Sequence, residues 1–139
     1  MNSLRVLETC LYADDLAAMR PFYEQFLGLE VVDDPLDERH LFFRCDESML
    51  LIFNPRHTAH EQSDVDGQPI PLHGAQGAGH VAFAVSPEEM PGWKERLAGF
   101  GVEIESEVVW PNGAVSIYFR DPAGNSVELA NPGLWSFAD

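Results

Sequence analysis

Three residues, Glu8, His80 and Glu128, carry side chains that bind divalent metal ions, and an internal repeat relates their positions. Glu8 opens the first half of the chain in Glu-Thr-Cys-Leu-Tyr-Ala, and His80 opens the second half in His-Val-Ala-Phe-Ala-Val. One imidazole and two carboxylates suit Fe²⁺, Mn²⁺, Ni²⁺, Co²⁺ or Zn²⁺. Three protein ligands on an octahedral ion leave positions at which a substrate with two neighbouring oxygens can bind. The ion would then stabilise negative charge that develops on the substrate.

The repeat also aligns the ends of the two halves. The phrases Leu-Gly-Leu-Glu-Val at 27–31 and Phe-Gly-Val-Glu-Ile at 100–104 correspond, and each half closes on Asn-Pro, at 54–55 and at 131–132. Glu8 and His80 are 72 positions apart, and the two Asn-Pro pairs are 77 apart, which aligns Leu51 with Glu128. Four equivalent positions therefore hold three potential ligands, Glu8, His80 and Glu128, and one apolar residue, Leu51.

The first half is predicted to contain a strand, a helix and three further strands. Residues 4–13 are rich in strand formers, and alternation places Glu8, Cys10 and Tyr12 on one face. A helix capped by Asp14 or Asp15 follows and ends at Gly28. Strands are predicted at 29–33, 40–45 and 48–54.

The second half predicts the same order of elements. A strand at 79–85 is followed by Ser86-Pro87-Glu88-Glu89, a sequence typical of a helix start because serine caps the helix and glutamate follows three residues later. The helix is predicted to end at Gly101. Strands are predicted at 102–109, 114–120 and 125–131, with a tight turn at 121–125 between the last two.

The predicted fold is therefore α+β, with two βαβββ modules whose curved mixed sheets surround a central cavity. The modules occupy residues 4–55 and 79–132 of a single domain that spans 1–139; residues 56–78 form a linker loop and 133–139 a C-terminal tail. One helix covers only one face of each sheet, so the second face requires another partner, for which the sister module is the nearest candidate. A loop as long as 56–78 is usually functional or mobile.

Other side chains are candidates for a role beside the metal. If the turn centres on Ala123, Tyr118 lies opposite Glu128, and the predicted catalytic residues are Glu128, Tyr118 and His73, the last as an acid or base in the linker loop. Phe53 and Trp110 are candidate apolar walls, and Cys10 shares the side of Glu8. His57 and His60 are expected to be solvated.

Composition narrows the possible partners. The formal net charge of −15 argues against nucleic acid and anionic membranes, both of which require basic surfaces. No apolar run approaches the length of a membrane span. The two cysteines provide neither a disulfide framework nor a zinc-finger spacing, and no signal peptide is visible, so a cytoplasmic location is expected.

Several motifs resemble the vicinal-oxygen-chelate superfamily, the group of glyoxalases, bleomycin-resistance proteins and extradiol dioxygenases. They are Glu8-x-x-Leu11-x-x-x-Asp15-Leu16, the run from Gly79 to Val85, and the run from Tyr118 to Asn125 followed by Glu128. The resemblance covers nearly the whole chain and implies paired βαβββ modules around a divalent metal. It implies Glu8, His80 and Glu128 as the ligands, with Glu8 where the family more often has histidine. The fourth ligand of many glyoxalases falls here at Leu50 or Leu51.

The resemblance and the ligand set together predict a divalent-metal-dependent enzyme that acts on a small oxygen-rich substrate by lyase, isomerase or dioxygenase chemistry. The alternative is a metal-independent protein that binds a drug or metabolite, as bleomycin-resistance proteins do. A homodimer is expected, because single-chain members of the superfamily commonly form one and because Trp135 and Phe137 need cover. The modules then pair within a chain or across the dimer.

Overall fold

The computed structural model describes residues 3–35 and 38–139. The chain divides into two compact units, Met1–Gly77 and Ala78–Asp139. Each unit contains one curved four-stranded mixed sheet. The α+β class and the two βαβββ modules are as the sequence predicts. No helix in the described ranges is long and apolar enough to cross a membrane.

The first unit has the strand order β1-β4-β3-β2. Strand β1 runs parallel to β4, while β2, β3 and β4 pair antiparallel. Its main elements are β1 (Glu8–Tyr12), α1 (Leu16–Arg20), β2 (Glu30–Asp33), β3 (His40–Cys45) and β4 (Ser48–Phe53).

The first helix changes from α-helical to π-helical geometry at Pro21. Asp15 caps α1, accepting a hydrogen bond from the backbone N–H of Ala18 at 3.2 Å, as the sequence predicts. Pro21 has no N–H to donate into the α-helical pattern, and Pro21–Phe26 form a π-helical segment in which the Leu27 N–H bonds to the Phe22 carbonyl. Gly28 then ends the helix with φ of 76°, a conformation that glycine adopts without strain.

The linker prediction was wrong about the secondary structure of residues 56–78. This region contains a helical turn, α2 (Pro55–Thr58), and an antiparallel hairpin of β5 (Ser63–Val65) and β6 (Gln68–Ile70). Asp66 and Gly67, at the turn, have φ of 51° and 79°. An Asp-Gly pair with two positive φ angles is typical of a two-residue hairpin turn, so the sequence did carry a signal for this hairpin.

The second unit repeats the arrangement, with the strand order β7-β10-β9-β8. Ser86 and Glu89 interact as the predicted helix start requires, since the Ser86 hydroxyl donates to Glu89 Oε2 at 3.0 Å. The α-helix itself begins later, at Met90, after a turn over 87–89. The elements are β7 (His80–Ala84), α3 (Met90–Gly99), β8 (Ser106–Val109), β9 (Val115–Arg120), β10 (Ser126–Ala130) and a 3₁₀ turn at Pro132–Trp135.

The strand registers agree with the alignment of the repeat. Glu8 is paired with Met49 in the first sheet, and His80 is paired with Ser126 in the second. Two residues further along each pair of strands, Leu51 lies beside Cys10, and Glu128 lies beside Ala82. Leu51 and Glu128 therefore occupy equivalent positions in their own sheets.

One face of each sheet is buried in an apolar core. In the first unit, Tyr23 from the helix contacts Phe43 of β3, with ring centroids 5.6 Å apart. On the core face of the first sheet, the fully buried side chains include Leu41, Phe43, Leu50 and Ile52. On the core face of the second sheet, they include Ile117, Phe119, Val127 and Leu129. The opposite face of the first sheet carries Glu8, Cys10 and Tyr12, and that of the second carries His80, Tyr118 and Glu128.

The turn between β9 and β10 depends on Asp121, and its replacement is expected to destabilise the protein strongly. Asp121 is buried, and its Oδ1 accepts from the backbone N–H groups of Ala123 and Asn125 at 2.9 Å while Oδ2 accepts from the Asn125 side chain at 2.9 Å. Asp121→Ala leaves these donors without partners and should lower the free energy of unfolding by about 2–4 kcal/mol. Urea unfolding measures this, with Glu103→Ala, which removes an exposed carboxylate, as the control. A loss below about 0.5 kcal/mol for Asp121→Ala would contradict the expectation.

Candidate metal centre

Glu128 is a buried carboxylate with one oxygen that has no hydrogen-bond partner in the part of the chain that the structure describes. It lies in the middle of β10, and its side chain is 7% exposed. Oε2 is 3.2 Å from His80 Nε2, whereas Oε1 is buried and has no hydrogen-bond partner among the described residues. An ionised carboxylate without full hydrogen bonding is costly inside a protein. Such a cost is typical of a site that is completed by a proton, a ligand or a metal ion.

His80 is oriented toward Glu128 by the backbone. Its Nδ1 is 3.0 Å from the carbonyl oxygen of Ser126, so Nδ1 must carry a proton and donate it. In a neutral imidazole, Nε2 then presents a lone pair to Glu128 Oε2. Two acceptors at 3.2 Å repel each other unless a positive charge lies between or beside them. The two atoms therefore require a shared proton or a cation that both of them bind.

Tyr118 completes this group of polar side chains in the second unit. It pairs with Glu128 across β9 and β10, as a turn centred on Ala123 predicts, and its ring lies 6.4 Å from that of His80 at an interplanar angle of 26°. Burial raises the pKa of Tyr118, and the neighbouring Glu128 carboxylate raises it further. Both causes favour the neutral phenol, so the hydroxyl remains a hydrogen-bond donor at neutral pH.

Trp110, a predicted apolar wall, is fixed in the same unit. Its indole Nε1–H donates to the buried Ser116 hydroxyl at 2.9 Å, and its backbone N–H donates to the Ala114 carbonyl at 2.8 Å. These two bonds hold the indole against β9.

Glu8, the third predicted ligand, begins β1 of the first unit. It is exposed and shares its face with Cys10 and Tyr12. Among residues 3–35 and 38–139, no three His, Cys, Asp or Glu side chains are grouped closely enough to hold a metal ion. The structure brings together the His80 and Glu128 donors within the second unit.

His73, a predicted acid or base, forms a hydrogen bond with a residue that the sequence analysis did not select. The Tyr12 hydroxyl lies 2.7 Å from His73 Nδ1, and Phe53 packs against the imidazole with centroids 4.7 Å apart. The backbone N–H of His73 donates to the Thr58 carbonyl at 3.0 Å, which holds this loop on α2. The only sequence signal for Tyr12 was its place on the Glu8 face of β1.

Tyr12 is expected to make the protein less stable as the pH rises above 10. Burial, together with the neighbouring Cys10, raises the pKa of Tyr12 from 10.0 to about 12. Between these values the unfolded chain loses the phenolic proton while the folded chain keeps it, so the free energy of unfolding falls with increasing pH. Tyr12→Phe should reduce this fall, as measured by urea unfolding at several pH values from 9 to 12. Identical pH profiles for the two proteins would contradict the raised pKa.

Comparison with known proteins identifies the family. The model of the Glyoxalase/Bleomycin resistance protein/Dioxygenase superfamily matches residues 5–129. A crystal structure of lactoylglutathione lyase from Agrobacterium tumefaciens is 41% identical, with 99% of this chain and 100% of that chain covered and a TM-score of 0.90.

Two other solved structures share the fold at lower identity. A glyoxalase/bleomycin resistance protein/dioxygenase from Nocardioides is 24% identical, with 94% and 85% of the two chains covered and a TM-score of 0.70. A fosfomycin resistance protein from Listeria monocytogenes is 21% identical, with 97% of each chain covered and a TM-score of 0.66. With the family model matching nearly the whole chain, this protein belongs to the Glyoxalase/Bleomycin resistance protein/Dioxygenase superfamily.

Proposed function

We propose that this protein is a divalent-metal-dependent lyase that acts on a small oxygen-rich substrate. The observation that carries the proposal is the buried Glu128 carboxylate. One of its oxygens has no hydrogen-bond partner within residues 3–35 and 38–139, and the other lies 3.2 Å from His80 Nε2. Lyase chemistry is favoured over isomerase or dioxygenase chemistry by the 41% identity to a lactoylglutathione lyase.

The donor set fits a divalent metal. The Ser126 carbonyl fixes the His80 tautomer so that Nε2 is available, an arrangement typical of metal-binding histidines. Glu128 adds one negative charge beside it, and we propose Glu8 as the third ligand, from the same chain or from the partner chain of a dimer. Imidazole and carboxylate ligands suit Fe, Mn, Ni, Co or Zn. A metal bound there would act as a Lewis acid that stabilises negative charge on the substrate.

The candidate catalytic side chains have separable roles. The neutral Tyr118 hydroxyl can donate a hydrogen bond to Glu128 or to a substrate oxygen, and thereby orient either one. Glu128 is suited to accept a proton from the substrate when it is not engaged as a ligand, since Oε1 has no partner among the residues described. His73 is a second candidate acid or base, because its Nδ1 is bonded to Tyr12 and the imidazole is held by Phe53.

Metal uptake and turnover test this proposal together. Chelator-treated protein should bind close to one equivalent of Mn²⁺, Fe²⁺, Co²⁺, Ni²⁺ or Zn²⁺ per chain by equilibrium dialysis with elemental analysis. The related structure is a lactoylglutathione lyase, so turnover is followed in both directions: the loss of lactoylglutathione, and its formation from glutathione and methylglyoxal. The loaded protein should catalyse this interconversion, and the chelated protein should not. Uptake below a tenth of an equivalent for all five metals would contradict the metal site. Metal uptake without turnover in either direction would contradict an activity like that of the lactoylglutathione lyase.

A metal-independent binding protein is the second candidate, and an aromatic surface in the first unit favours it. Phe42 and Phe53 lie 5.5 Å apart between centroids, and Tyr12 and His40 lie at 6.4 and 6.3 Å from Phe53. Half-buried rings of this kind bind flat apolar compounds. This candidate predicts ligand binding that is unchanged when His80 and Glu128 are replaced, which calorimetry with the variants would measure.

We also propose a homodimer in the cytoplasm. Trp135 and Phe137 are 74% and 70% exposed, and large apolar side chains that cluster at a chain end favour a covered surface. Cys10 and Cys45 are both free thiols, as expected in a reducing compartment. Light scattering that gives the monomer mass at micromolar concentration would contradict the dimer.

A further inference from the structure

The helical turn α2 presents two pairs of side chains spaced four residues apart. Backbone hydrogen bonds continue the turn as far as Glu61, whose N–H donates to the His57 carbonyl at 2.8 Å. His57 Nδ1 and Glu61 Oε2 lie 2.8 Å apart and are joined by a hydrogen bond at the usual helical spacing of four residues. The second pair, Arg56 and His60, has no acidic member. Two basic side chains at this spacing do not stabilise a helix.

Arg56 differs from the other basic side chains of this acidic chain. Among the described residues, Arg56 forms no ion pair, although the formal net charge is −15. Arg96 lies over the rings of Trp93 and Phe100. The remaining arginines and the lysine each pair with a carboxylate: Arg5, Arg20, Arg39, Arg44, Lys94 and Arg120.

Arg56 and His60 line an open cavity of about 490 Å³ in the first unit. Its other wall is the segment Gly74–Gln76, which is held against α2 by the hydrogen bond between the His73 N–H and the Thr58 carbonyl. Glycine is needed for this close approach, because a Cβ at position 74 would lie 2.9 Å from the Ala59 Cβ. The cavity is therefore a shaped feature of α2 and the loop. Asp14 also lines it.

We propose that this cavity binds the carboxylate group of a small organic molecule. The planar guanidinium of Arg56 matches a carboxylate in a two-point hydrogen bond, and the His60 imidazole and the Gln76 amide supply further N–H donors. Asp14 repels anions, so a singly charged carboxylate is favoured over doubly charged phosphate.

The cavity is separate from the proposed ligand Glu8 in the same unit. Glu8 and Tyr12 are the two ends of β1, roughly 13 Å apart for a strand of this length. Asp14 and the cavity lie beyond the Tyr12 end. Binding at the cavity can therefore be tested without a metal and without a substrate assay.

Nuclear magnetic resonance of the full ¹⁵N-labelled chain tests the proposal, with sodium acetate and sodium phosphate as probes at constant ionic strength. Acetate should produce saturable shifts of the amides of residues 56–60 and 74–76 and of the Arg56 Nε–H. Phosphate should bind more weakly than acetate. Arg56→Gln should weaken acetate binding about tenfold or more, the effect of losing a hydrogen bond to a charged group.

Two controls keep the test decisive. Arg5→Gln removes an exposed arginine that pairs with Glu47 at 3.7 Å and should leave acetate binding unchanged. Asp14→Asn should strengthen phosphate binding, because it removes the repelling charge. The proposal is overturned if acetate causes no saturable shift up to about 100 mM, or if Arg56→Gln and Arg5→Gln behave alike. Tighter binding of phosphate than of acetate by the wild-type chain would overturn the choice of a carboxylate.

Discussion

Replacing Glu128 by glutamine is expected to abolish the stabilisation of this protein by divalent metal. Glutamine keeps the size of this buried side chain but removes the negative charge that would bind a cation. The variant also changes the contact of 3.2 Å between Oε2 and His80 Nε2, so its Tm is measured without metal as well. Metal at about 100 times its dissociation constant should stabilise the wild-type chain by about 2.7 kcal/mol, which raises Tm by roughly 8 °C. Glu128→Gln should lose nearly all of this shift and weaken metal affinity about 100-fold or more.

The matched control is Glu103→Gln, which neutralises an exposed glutamate in the same unit. Its Tm with and without metal should equal that of the wild-type chain. Differential scanning calorimetry on chelated and loaded samples measures both variants. If Glu128→Gln retains the full metal-induced shift, the assignment of Glu128 as a ligand is wrong. If Glu128→Gln lowers Tm by the same amount in the chelated and the metal-loaded samples, Glu128 contributes to the stability of the fold and not to metal binding.

Replacing Leu51 by glutamate is expected to make the fold depend on metal. Leu51 is 8% exposed and lies beside Cys10 and Phe42 at the position equivalent to Glu128. An unpaired carboxylate there should destabilise the metal-free protein by about 3 kcal/mol or more. Leu51 is the apolar member of the four positions that the repeat relates. If it lies beside the proposed metal ion, the new carboxylate becomes a ligand, and added metal should restore most of the lost stability.

Leu51→Met is the control for packing, because it conserves volume and should cost less than about 1.5 kcal/mol with or without metal. Unfolding curves of both variants, each with and without Mn²⁺ and Zn²⁺, separate the effects. A destabilised Leu51→Glu protein that metal does not rescue would place Leu51 away from the metal. If metal rescues Leu51→Glu but does not rescue the double variant with Glu128→Gln, both residues bind the same ion.

The repeat was the strongest guide to the fold because strand register follows from the spacing of the two halves. Residue spacing alone aligned Leu51 with Glu128 and placed Tyr118 opposite Glu128, and the observed pairing agrees. Local signals also succeeded where partners are close in sequence, as for Asp15 at the start of α1 and Ser86 with Glu89 before α3. The hairpin of β5 and β6 was missed because a polar, proline-containing stretch concealed the Asp66-Gly67 turn.

By itself, the sequence determined the α+β class, the two modules, the pairing of Tyr118 with Glu128 and the residue types that can bind a metal. These properties depend on periodicity, caps and turns, which act between neighbours along the chain. Only the tertiary structure decided which polar groups are buried and what they meet: the unpartnered oxygen of Glu128, the His80 tautomer set by the Ser126 carbonyl, and the Tyr12–His73 hydrogen bond between residues 61 positions apart. Arg56 likewise required the folded chain, because the absence of an ion pair depends on every described carboxylate around it. Burial and long-range partners result from the packing of distant segments, and no local pattern specifies them.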